Sequence, residues 1–120
     1  MRIALAALVL LLALAGCAAT VNEIEATPPI VTLRLKGSPQ EAAQCVIRSV
    51  ESLGWVTSMR NFGSHVQIVW TIRPNEPIAT FDLAPVEERF TIAQMRAKPG
   101  TVSDQAHIAS VWRQRLGPCM

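Results

Sequence analysis

The sequence is short of the residues that carry chemistry. Its 120 positions hold two histidines, His65 and His107, and three cysteines, Cys17, Cys45 and Cys119. Neither histidine has a second ligand at metal spacing, so both read as surface or structural residues. No Cys-x-x-Cys occurs, which argues against a dithiol redox centre. A glycine-rich phosphate loop, a P-loop and a nucleophile elbow are all missing. Ser64 and His65 are adjacent, and neighbours along a strand point to opposite faces, so they do not suggest a triad. Glu87-Glu88 reads as a solvated pair in a turn, and Asp82, between Phe81 and Leu83, is expected to face solvent. With no nucleophile–base or metal set, the chain reads as a non-enzyme without cofactor or metal. Internal repeats and low-complexity segments are also lacking.

Long apolar runs are scarce too. The exception is Ile3 to Leu14, twelve residues of Ala, Leu, Val and Ile. A membrane span wants roughly 20 such residues. Arg2 precedes the run and the small pair Ala15-Gly16 closes it, the layout of an export signal. A plain secretory signal cut near Ala18-Ala19 and an uncleaved anchor helix are the alternatives. The tetrapeptide Leu14-Ala15-Gly16-Cys17 resembles the lipobox of bacterial lipoproteins. The resemblance implies that residues 1–16 are removed, that Cys17 becomes the acylated first residue, and that several acyl chains sit on it. Each buried methylene contributes about 0.8 kcal/mol, and a single chain anchors only marginally. In well-studied Gram-negative families an Asp after the cysteine retains the protein in the inner membrane. Here the residue is Ala18, which implies the outer membrane, facing the periplasm.

Without the leader, 104 residues remain, with ten Lys/Arg and nine Asp/Glu. That balance gives no electrostatic case for nucleic acid or an acidic substrate. The membrane, through lipid on Cys17, and an envelope protein are the expected partners; the oligomeric state is not legible. About a hundred residues bury one core, so one domain is expected at 30–120 behind a lipidated tether at 17–29. Acylation of Cys17 leaves Cys45 and Cys119, an even number in an oxidising compartment, and a disulfide between them is expected. A pair of buried free thiols is the alternative.

The tether ends at Thr27-Pro28-Pro29, which favours extended chain. Ile30 to Lys36 alternates, with Val31, Leu33 and Leu35 on one face, and reads as a half-buried strand ended by Gly37. Ser38-Pro39-Gln40-Glu41 is a helix start with a capping box. Ala42, Cys45, Val46, Ser49, Val50 and Leu53 then share a face up to Gly54. Val56 to Asn61, Val66 to Arg73, Ala79 to Leu83 and Arg89 to Arg96 read as strands. The turns between them fall at 62–64, 74–77 and 85–88. Thr101 to Asp104 offers a second capping box. A helix should follow to Leu116, its inner stripe made of Gln105, Ile108, Ala109, Trp112 and Leu116. Gly117-Pro118 stops it.

The order β-α-β-β-β-(β)-α predicts an α+β fold, an antiparallel sheet of four to five strands with two helices on one face. Trp55, Trp70 and Trp112 fall where the core is expected. A binding patch on the sheet face or beside Trp55 is the sharper reading, with Trp55, Arg60 and Arg73 as candidate ligand contacts. Arg34 and Lys36 would add positive charge to the open face. Pro39-Gln40-Glu41-Ala42-Ala43-Gln44-Cys45 and the closing Cys119 resemble small proteobacterial lipoproteins with one cysteine in a first helix and another near the C-terminus. That resemblance implies no activity. Three functions remain: an envelope interaction or accessory module, a binding module for a small molecule or envelope glycan, and an enzyme, disfavoured for want of catalytic residues. A large apolar pocket would favour the second, and an exposed apolar strip the first.

Overall fold

The computed structural model describes residues 21–73, 76–100 and 103–120, and only the backbone of Arg73. Residues 14–17, Cys17 among them, and Thr101 lie outside the described residues.

Strand β1, Val31–Lys36, buries Val31, Leu33 and Leu35 and exposes Thr32, Arg34 and Lys36. It turns at Gly37, whose φ of 91° suits glycine; a Cβ there would also meet the Glu41 side chain at 3.0 Å. Helix α1, Pro39–Glu51, begins as expected. Ser38 is the N-cap, its hydroxyl accepting from the Glu41 amide at 3.2 Å and donating to the Glu41 carboxylate. Ala42, Ala43, Val46 and Val50 are buried along it.

Four strands follow: β2 Val56–Phe62, β3 His65–Arg73, β4 Glu76–Glu87 and β5 Phe90–Ala97. Helix α2, Gln105–Arg115, and a 3-10 turn, Gly117–Cys119, end the chain. The fold is α+β. Its five-stranded sheet runs β1-β5-β4-β3-β2, with every neighbouring pair antiparallel. The first strand therefore joins the outer side of β5, leaving β1 and β2 as the two edges.

Period-2 alternation sorts the strands into two faces. The core face carries Leu33 and Leu35, Val66, Ile68 and Trp70, Phe81 and Leu83, and Ala93 and Met95. The same cluster contains Val46 and Val50 from α1 and Ala109 and Trp112 from α2, so both helices share one face of the sheet. Cys45 of α1 is bonded to Cys119, their Cα atoms 5.9 Å apart and 74 residues apart in sequence. This ties the last turn of the chain to the first helix.

Four details differ from the sequence expectation. Strand β4 begins at Glu76, inside the expected 74–77 turn, and runs into the expected 85–88 turn as far as Glu87, with Pro85 opposite Thr91. Pairing with β3 ends at Leu83, so the missing Pro85 amide costs no hydrogen bond on that side. The α2 cap is Asp104, whose carboxylate accepts from the His107 amide at 3.0 Å. Gln105 is exposed rather than part of the inner stripe, because the helix starts there and its buried run begins a turn later at Ala109.

The fourth difference is the larger one. Residues 21–29, expected as tether, are packed down. Residues 21–25 form a helical turn, and Ile24 is 0% exposed. The Glu25 carboxylate accepts from Gln67 Nε2 at 2.9 Å, and the Thr27 carbonyl from Arg96 Nε at 3.0 Å. Gln67 and Arg96 lie on the sheet face opposite the helices. Ile24 and Val69 are buried outside the main core, so this segment shields part of the second face from water.

Candidate functional site

The second face is built from polar pairs that satisfy one another. Gln67 Nε2 donates to Asp82 Oδ1 at 2.9 Å as well as to Glu25, and Gln67 Oε1 accepts from Arg60 at 3.3 Å. Arg96 forms an ion pair with Asp82 at 3.0 Å and donates to Gln94. Asp82 is thus a bridge rather than a free solvent-facing acid, because cross-strand neighbours on one face sit within hydrogen-bond reach. The expected basic patch is offset as well. Arg34 pairs with Glu87 at 3.0 Å and stacks over Phe90 at 4.0 Å.

The histidines bring no catalytic set together. Ser64 Oγ lies 3.0 Å from His65 Nδ1, which the opposite-face argument did not anticipate. Ser64 belongs to the turn and not to the strand, so strand parity does not apply to it. Both residues are exposed, and among the described residues nothing bonds the other ring nitrogen of His65. His107 is exposed on α2. Glu87 and Glu88 are exposed at the β4–β5 turn. Among the described residues, no group of three or more His, Cys, Asp or Glu is placed to hold a metal ion.

The three candidate ligand contacts are not one site. Trp55 stacks on Trp70 at 4.1 Å, on the helix side of the sheet. Arg60 is on the second face, its guanidinium 5.4 Å from the Phe62 ring centroid. They are five residue steps apart along extended chain, about 17 Å at roughly 3.3 Å per residue. The Arg73 backbone pairs with Glu76 where β3 meets β4. Trp70 and Trp112 are core residues, packed edge to face at 5.7 Å.

Beneath α2 a cleft of about 170 Å³ is lined by Trp70, Ile78, Ala79, Met95, Ile108 and Trp112. The buried Trp70 indole nitrogen finds no hydrogen-bond partner. Pockets that enclose small molecules usually measure about 300–1,000 Å³, so this cleft is small for such a ligand. A larger depression of about 640 Å³, by Gly37 and Phe90, is open and ringed by charged Lys36, Glu41, Glu88 and Arg89.

The free edge of the sheet is different. Strand β2 pairs with β3 and, among the described residues, has no neighbour on its other side. Six of its seven residues are exposed, including Val56 (66%), Met59 (44%) and Phe62 (58%). Trp55, at its start, is 37% exposed. Register fixes which way each residue faces. Met59 lies opposite Ile68 and so is on the helix side; Val56 and Phe62 lie opposite Thr71 and His65, on the second face. An edge strand usually carries charge, proline or a bulge that discourages further pairing. Here only Arg60 is charged, and β2 pairs with β3 without a register shift.

Sequence reasoning assigned this strand but not its role. A signal was present: apolar residues at 56, 59 and 62 recur every three positions, so no single face of the strand collects them. A strand with one buried face alternates instead, as β1 does. No protein-family model matches the chain. No curated protein matches it either.

Proposed function

We propose that this chain is an envelope lipoprotein, anchored by acyl chains on Cys17 in the outer membrane and facing the periplasm, whose domain is a non-enzymatic interaction module. The observation that carries the interaction reading is the unpartnered β2 edge, with Val56, Met59 and Phe62 in solvent. Such an edge offers a row of backbone donors and acceptors to an added strand, and its side chains supply selectivity. The anchor reading rests on Leu14-Ala15-Gly16-Cys17 behind the apolar leader. Among the described residues no helix is long and apolar enough to cross a membrane.

Membrane fractions from cells producing the full chain and its Cys17→Ala variant provide the test. The expected result is a full chain whose mass fits residues 17–120 plus acyl groups, with no thiol open to alkylation. The variant should lose the acyl mass and leave the membrane. An unacylated full chain in the soluble fraction defeats the anchor reading.

A further inference from the structure

We infer that the β2 edge pairs with the β2 edge of a second copy, antiparallel and two-fold symmetric about Met59, joining two five-stranded sheets into one. The inference rests on the interaction reading above and names the partner. A two-fold axis normal to the sheet keeps each residue on its own face, so symmetric pairing must place a residue opposite itself. Centred on Met59, all seven residues of Val56–Phe62 find a partner; any other centre leaves part of the strand unpaired. The Met59 register sets Val56 against Phe62 of the other copy at both ends, on the second face, and Met59 against Met59 on the helix side. Thr57 meets Asn61, and Arg60 meets Ser58. Moving the centre one residue on to Arg60 would place two guanidinium groups directly opposite each other, which is destabilising. The same strand is therefore apolar where its copy is apolar and polar where its copy is polar, as an isologous interface requires.

Seven strand residues make a small contact, and a stable soluble complex needs about 1,000 Å² or more. Confinement of both copies to one membrane raises their effective concentration, which lets a weak contact operate. The association should therefore be stronger on the membrane than after solubilisation.

Cysteine pairs read the register directly, because directly opposed strand residues lie about 4.5–5.5 Å apart, within disulfide range. The full chain carrying Met59→Cys should give a disulfide-linked dimer in oxidised membranes, at least several-fold above an Glu88→Cys control. Ser58→Cys alone should stay at the control level, and differently tagged Ser58→Cys and Arg60→Cys chains should cross-link when co-produced. Adding Val56→Lys to Met59→Cys should return cross-linking to the control level; Val56 is exposed, so the domain itself is spared. Control-level cross-linking of Met59→Cys in chains that do sit in the membrane overturns the pairing and leaves the anchor standing. A cross-link to a heavier protein in place of the dimer also overturns it, in favour of a foreign strand. A chain missing from the membrane fraction points instead to failure of the anchor reading.

Discussion

The two edges of the sheet are solved differently. Strand β1 alternates buried and exposed positions, and two of its exposed positions, Arg34 and Lys36, are charged. Arg34 is further occupied by Glu87 and Phe90. Strand β2 places little in the core and leaves Val56, Met59 and Phe62 in solvent. An edge strand contributes to stability through the face it buries, and invites partners through what it leaves bare. By that measure β1 serves the fold, and β2 is available for contact with another chain.

The comparison can be broken by measurement. The largest effect should come from the disulfide. Opening the Cys45–Cys119 bridge by a double change to serine frees a 74-residue loop and should cost about 4 kcal/mol in chemical denaturation. Strand β2 lies inside that loop, and hydrogen exchange of the β3 amides under native conditions should still show it paired in its native register.

Next in size are truncations on the two edges. Leu35→Ala removes a fully buried side chain from β1 and should cost about 3 kcal/mol. Met59→Ala on β2 should change stability by less than about 0.5 kcal/mol, as exposed positions do. Equal losses at the two sites would end the distinction between the edges.

Ile24→Ala should cost about 2 kcal/mol if the segment before β1 is part of the packed domain. An unchanged denaturation midpoint would return residues 21–29 to the status of a tether. Arg34→Gln should also have a small effect on stability. Its ion pair with Glu87 is half exposed on both sides, and such pairs contribute about 0–1 kcal/mol. Its consequence should lie in association instead: scattering from solubilised protein should rise as the β1 edge loses charge, and fall in Phe62→Lys as the β2 edge gains it.

Much of this fold was legible because local rules and tertiary packing agreed. The alternation in 31–36, the Ser38 cap with Pro39 behind it, and the apolar face of α1 each follow from side-chain periodicity and from backbone groups that need partners. The site was less legible. Trp55 and Arg60 stand close in sequence, yet they lie on opposite sides of the sheet. Ile24 sits in a polar, proline-flanked stretch with the composition of a linker, and its segment is held down by Gln67 and Arg96, more than forty positions away. Asp82 looked solvent-facing because strand parity identifies the face but not the Gln67 and Arg96 side chains waiting on it.

The sequence by itself determined the element order, the two-sided character of β1, the start of α1 and the α+β class, because each is set by residues within a turn or two of one another. The tertiary structure alone decided that β1 joins β5, that the segment before β1 packs across the second face, and that β2 is left at an edge. Those outcomes depend on which distant strands share hydrogen bonds. Once four other strands have taken the places beside the core, the last one carries its apolar residues into solvent.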